Sequence, residues 1–162
     1  MNTVTYPGTP YHADRSEPLL GFRFSVFFFM HGDQPNSLDI RFSKVSGISG
    51  RIDTQPLNEG GQNLFSHRLP TRAQYDNLIL ERSITIDSKL AGEFDSTLSV
   101  FKFNPSNVLV TLLDETGSPI SGWLFTTAYP VKWAFSDLNA EQNQIVIETM
   151  ELAYQRMEIV RL

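Results

Sequence analysis

Three histidines, two pairs of carboxylates and two tryptophans are the side chains whose types could carry chemistry in this sequence. His12, His31 and His67 are potential metal ligands, but none has a second histidine or a carboxylate at ligand spacing. All three fall in segments that read as loop or tail, and His67 sits beside Arg68, a poor setting for a metal. Asp114 and Glu115 belong to a turn, where acids are normally solvated. Glu148 and Glu151 are separated by an odd number of positions, so a strand sends them to opposite faces and they do not form an acid–base pair. Glu148 shares a face with Val146 and Met150, and is therefore channel-facing, interfacial or paired with an arginine. Trp123 and Trp133 could line a sugar cleft, although tryptophan in a β-domain is more often core.

Motifs for nucleophilic, phosphate or dinucleotide chemistry are absent. Gly60-Gly61 invites a phosphate-loop reading, but "QNLFSHRLP" after it is not a helix start, so the pair is expected to supply backbone freedom at a sharp turn. With no cysteine there is no disulfide, thiolate nucleophile or zinc–thiolate site. The expectation is a protein that is not an enzyme, with no catalytic residue, no metal and no cofactor.

The elements that would position any site are mostly strands. Residues 1–18 hold Pro7, Gly8, Pro10 and Pro18 among polar residues and read as an extended arm, leaving 19–162 as one domain. Phe22, Phe24, Val26 and Phe28 alternate with Arg23, Ser25 and Phe27, which predicts a strand. "MHGDQPNSLD" is a loop. A second strand runs through Ile40, Phe42 and Val45, with a bend or bulge where Gly47 and Gly50 bracket Ile48. The stretch 57–77, "LNEGGQNLFSHRLPTRAQYDN", is a long polar arm between strands. "LILERSITI" returns to strand character. Leu90, Phe94, Leu98 and Phe101 mark one face of a helix, with Asp87 or Ser88 as N-cap. Val108, Val110 and Leu112, then Trp123 and Phe125, form a hairpin around "DETGSP". The final stretch, 143–160, reads as one strand buried on both faces, with Ile145 and Ile147 on one side and Val146, Met150, Leu152 and Tyr154 on the other. Seven or eight strands and one helix predict a mainly β fold, an antiparallel β-barrel or sandwich with one flanking α-helix.

Bulk properties limit the partners. At 162 residues and 41% hydrophobic content the chain buries a real core as one domain. A net charge of -5 argues against general affinity for nucleic acid. The longest apolar run, Phe27 to Met30, is far short of a membrane span, and the N-terminus has no signal-peptide pattern.

Several phrases in order carry a resemblance: "FSKVSGIS", "EGGQNLFSHRLP", "LILERS", "LLDETGSPISGWLFTTAYPVKW" and "LNAEQNQIVIETMELAY". Over roughly residues 20–155 the chain resembles the tail-tube proteins of contractile phages and phage-derived contractile injection systems. It departs from them in its long N-terminal arm, in the enlarged loop 30–39, and in Ser83, which stands where a glycine is expected. The resemblance implies a β-barrel subunit of which six copies close into a ring. Stacked rings make a hollow tube that sheath contraction drives through a target envelope, and ring proteins of type VI secretion share the design.

The implied partners are copies of the chain itself, other tube, sheath or baseplate proteins, and cargo in the lumen. The implied location is the bacterial cytoplasm during assembly, then the particle. On this reading the arm reaches the next ring or subunit and buries Leu64, Phe65 and Leu69, with Leu57, Gly60, Gly61 and Asn63 shaping it. Arg51, Glu59, Arg68 and Arg72 fix register by charge, and Arg23 and Ser25, or Arg41 and Ser43, present a wet face to the lumen. The long N-terminal arm favours the ring that starts the tube at the baseplate over the repeating ring. A carbohydrate-binding module using Trp123, Trp133 or Tyr129 and a small hydrolase are the competing readings.

Overall fold

The computed structural model describes residues 21, 23–29, 41–57, 61, 66–85 and 88–161. Its elements are β1 (Phe24–Phe29), β2 (Lys44–Ser46), β3 (Gly50–Leu57), β4 (His67–Tyr75), β5 (Leu78–Ser83), α1 (Lys89–Val100), β6 (Ser106–Leu113), β7 (Pro119–Phe135), β8 (Ile147–Ala153) and β9 (Arg156–Arg161). The fold is mainly β and antiparallel with one helix, as predicted.

β7 organises the whole. Its 17 residues pair with β6 over the first half and with β8 over the second, while β9 lies along the first half. The corner falls at Thr127, whose φ of 55° places a non-glycine residue in left-handed backbone. On the neighbouring path the ladder breaks at Tyr154 and Gln155, between β8 and β9. Both strands therefore turn together, and the sheet of order β1-β6-β7-β8-β5-β2 folds over on itself. The final stretch, expected as one strand, is two segments following β7 through this corner. Nor is β8 buried on both faces: Glu148, Met150 and Leu152 point inward, and the alternate residues are half-buried.

The core fills the space between the folded halves. Val26, Phe28, Val108, Val110, Phe125 and Ala128 come from one half and Leu78, Leu80, Met150 and Leu152 from the other, joined by Leu90 and Phe94 of α1. Phe28 and Phe42 rings lie 6.2 Å apart, so the β1 and β2 borders approach each other. Trp123 and Trp133 both pack against this core.

The helix starts where expected: the Ser88 hydroxyl accepts from the Ala91 amide at 3.1 Å. Its buried face is Leu90, Phe94 and Thr97, with Leu98 and Phe101 exposed. The apolar count misled here. At 3.6 residues per turn Leu98 sits about 80° from Leu90, whereas Thr97 is within about 20°. The Thr97 hydroxyl also closes the helix end by donating to the Lys102 carbonyl at 3.0 Å.

Candidate assembly surfaces

The segment predicted as a polar loop arm is a hairpin. Gly50–Leu57 and His67–Tyr75 pair from Gly50↔Tyr75 to Leu57↔His67, with a bulge near Asp53. His67 is thus in a strand, not a loop. Only Asp53 and Tyr75 are even partly buried. Ile52 is 64% exposed, and Leu57 and Leu69 are exposed too. A two-stranded ribbon wet on both faces has no hydrophobic face of its own and is marginal in isolation. The sequence missed it for that reason: without a buried face there is no period-2 apolar alternation to read.

The root of the ribbon is heavily tied. β2, expected to run from Ile40 through a bend, is only three residues and ends at Gly47. There φ is +79°, and a Cβ would lie 1.9 Å from the Asn77 carbonyl oxygen, so only glycine fits. Gly50 sits under the Tyr75 ring, whose centroid is 5.5 Å from that of Tyr154. The Ser49 hydroxyl donates to Asp76, and Asn77 donates to Glu151 at 2.8 Å. Arg51 donates to Gln74 at 2.6 Å and lies 3.5 Å from the Asp53 carboxylate. Burial, then the charge of Asp76 and the neighbouring Tyr75, push the Tyr154 phenol above its ordinary pKa.

Of the predicted contact residues, Arg51 and Leu57 lie on β3, Gly61 in the turn region, and Arg68, Leu69 and Arg72 on β4. Glu59, Gly60, Asn63, Leu64 and Phe65 lie outside the described residues, as do the N-terminal arm, the loop 30–39, His12 and His31. Arg51 pairs within the ribbon with Gln74 and Asp53, and at its root with Asp76 at 3.9 Å. Arg68 and Arg72 are exposed and make no ion pair among the described residues. The four lumen candidates sit at two different sheet borders. Arg23 precedes β1 and reaches the Asp114 carbonyl at 3.5 Å, and Ser25 is half-buried on β1. Arg41 is exposed before β2, and the Ser43 hydroxyl donates to the Glu81 carbonyl at 2.9 Å.

The acids expected in the turn and last strand are structural. Asp114 accepts from the amides of Thr116 and Ser118 at 2.8 and 2.9 Å, closing the β6–β7 turn. Glu148 is paired with an arginine, the last of the three readings open to it. Its Oε2 accepts from Arg82 Nε at 2.7 Å with both side chains 2% exposed. Its Oε1 accepts from Trp133 Nε1 at 2.8 Å. Arg82 also donates to the Ser88 hydroxyl at 2.6 Å, and Phe42 lies over its guanidinium at 5.4 Å. Each carboxylate oxygen that burial takes from water is thereby given a donor. Arg82 was legible as Glu148's partner, since it alternates in phase with Leu78 and Leu80. With both charges neutralised and shut from solvent, the cluster positions α1 and is not a reaction centre. Among the described residues no group of three or more histidines, cysteines or acids is placed to hold a metal, and no helix is long and apolar enough to cross a membrane.

Comparison with known proteins agrees with this geometry. The model of the family "T4-like virus tail tube protein gp19" matches residues 20–158. A chain in the cryo-EM structure of the anti-feeding prophage baseplate, 6-fold symmetrised, is 35% identical. It superposes with a TM-score of 0.83, covering 90% of this chain and 97% of that one. A chain of the PVC extracellular contractile injection system sheath–tube complex is 19% identical, with a TM-score of 0.77 over 91% of this chain and 95% of that one. A chain of the anti-feeding prophage cap is 20% identical, with the same score over 95% and 100%. At those lower identities the likeness is one of fold. No curated protein matches the chain.

Proposed function

Because the chain belongs to the T4-like virus tail tube protein gp19 family, and is therefore a structural component of a phage tail or injection particle and not an enzyme, we propose that six copies close into a ring and that rings stack into a hollow tube. The observation that carries this reading is the β3–β4 ribbon. It is built on a heavily tied root and exposed on both faces. Such a ribbon gains a partner layer only when it lies against another subunit. Among the described residues the borders at β1, β2 and β9 have one strand neighbour each, and head-to-tail contacts that close in a ring would pair them without open-ended aggregation.

In this assembly Ile52, Leu57 and Leu69 bury against the neighbour, and Arg68 and Arg72 set register against its acids. Glu59, Gly60, Asn63, Leu64 and Phe65 belong to the contacting tip. Arg23, Ser25, Arg41 and Ser43 face water, in the lumen or at its rim. Residues 19–162 form the single domain, and 1–18 are the arm.

Among tube positions the baseplate-proximal ring is favoured. The baseplate chain is 35% identical, against 19% and 20% for the chains from the sheath–tube and cap structures. Size-exclusion chromatography with multi-angle scattering, followed by negative-stain microscopy, tests the ring. Hollow sixfold rings are expected, and a lone monomer at high concentration overturns the reading. Gold-labelling of a tagged chain in the assembled particle tests the position: label at one end supports the starting ring, and label along the tube refutes it.

A further inference from the structure

The connection between β7 and β8, residues 136–146, is tied to itself and still leaves apolar side chains in water. The Ser136 amide donates to the Ile147 carbonyl at 2.8 Å, and the Ile147 amide donates to the Ser136 hydroxyl at 3.0 Å. Within the connection the Glu141 amide donates to the Asn139 side chain at 2.9 Å, and the Gln142 amide to the Asn139 carbonyl at 3.3 Å. Such local bonds shape a turn without help from the core. Yet Leu138 is 81% and Ile145 72% exposed, and Phe135, whose ring lies 5.1 Å from that of Trp133, is exposed as well. Apolar groups clustered on a shaped surface mark a place of contact.

The charge of the connection is one-sided too. Asp137 and Glu141 are exposed, no lysine or arginine accompanies them in 136–146, and neither makes an ion pair among the described residues. The β3–β4 ribbon has the opposite balance. Its two strands carry Arg51, Arg68 and Arg72 against the single acid Asp53, which Arg51 approaches. The ribbon has apolar groups to match. Gln55 pairs with Leu69, and Leu57 with His67, so Leu57 and Leu69 are diagonal neighbours on one exposed face.

These two surfaces lie at opposite ends of the same strands. β5 starts at Leu78, just after the ribbon's Tyr75, and ends at Ser83, opposite Ile147 at the edge of the connection. Its six residues span about 20 Å. β8 runs back between the same two places, from Ile147 to Ala153, beside the Tyr154 ring that meets Tyr75. Both surfaces are exposed, so neither covers the other within one chain. The borders at β1, β2 and β9 lie along the sides of strands instead. A contact that joins unlike ends of successive copies is heterologous, and where no rotation closes it, it repeats as an open stack.

Resting on the ring proposed above, we infer that the ribbon of one copy, through Leu57 and Leu69, docks on the β7–β8 connection of a copy in the next ring, at Phe135, Leu138 and Ile145. The surplus arginines of the ribbon and the acids of the connection orient the two copies head to tail. The strand borders close each ring, and this end contact stacks one ring on another.

The test uses the full-length chain, assembled, with p-benzoylphenylalanine at position 55, which is exposed on the face of Leu57 and Leu69. On irradiation the expected product is a link to residues 135–145 of another chain, at dimer mass, identified by peptide mass spectrometry. Arg68→Glu with Arg72→Glu should cut its yield about tenfold at unchanged melting temperature, and adding Asp137→Arg with Glu141→Arg should restore it. Leu138→Ser with Ile145→Ser should lower the yield by a similar factor. Negative-stain images of the same samples separate the two levels of the argument. Rings with a link at monomer mass, a link elsewhere, no link, or a yield that the charge swap fails to restore overturn this contact and leave the ring standing. Absence of rings in the unsubstituted chain overturns the ring, and this contact with it.

Discussion

Two regions of this subunit hold charge and hydrogen bonds in opposite ways. The Arg82–Glu148 cluster is shut inside, each side chain 2% exposed and every polar group matched by another from the same chain. The β3–β4 ribbon stands outside, exposed along nearly all of both strands, with its internal bonds gathered at its root. Desolvation explains the contrast. An ion removed from water must be satisfied at once by its own fold, whereas a ribbon still in water can await a partner. One region serves the subunit's stability; for the other we propose a role in assembly.

The comparison breaks most sharply at the cluster. Glu148→Gln leaves Arg82 buried without a counter-charge, and the expected loss is about 3–5 kcal/mol of unfolding free energy, read by denaturant titration. A loss below about 1 kcal/mol would mean that water reaches the pair. Next is the hinge. Gly47→Ala forces a Cβ against the Asn77 carbonyl at positive φ, which should cost about 1–3 kcal/mol and raise amide exchange in 50–57 and 67–75 above that of β6. Smaller for the fold, though large for assembly, is Ile52→Ser with Leu69→Ser. The monomer should keep its stability to within about 0.5 kcal/mol while ring stacking, followed by light scattering, is lost. If this double variant unfolds the subunit, the ribbon is part of the core and the contrast fails.

The smallest effect concerns Tyr154 at the ribbon's root. Its folded-state pKa lies above the unfolded value. The stability it contributes is therefore fully present below about pH 10, the unfolded phenol's value, and is lost as pH rises through the folded value. Tyr154→Phe should flatten the fall in melting temperature above about pH 10 and leave neutral pH unaffected by ionisation. An identical alkaline profile in the two proteins would remove Tyr154 from the account.

What was legible in the sequence followed burial. β1, β5, β6 and the first half of β7 alternate because one face meets the core, and they were found. The Ser88 cap was found because capping is local. The ribbon was not, because two wet faces leave no pattern. The break between β8 and β9 was not, because the chain stays β-rich through Tyr154 and Gln155, and only the kink at Thr127 on the neighbouring strand requires the turn. The pairing of Arg51 and Leu57 on β3 with the strand that carries Arg68, Leu69 and Arg72 was invisible for the same reason.

By itself the sequence determined the class of the fold, its single helix and the family to which it belongs, because these depend on local periodicity and ordered phrases. Tertiary structure alone decided which of the readings open to Glu148 holds, that 50–57 and 67–75 form a bare ribbon on a tied root, and that Phe101 faces water. Each of those depends on which segments meet across the fold, and burial is a property of the meeting and not of either partner.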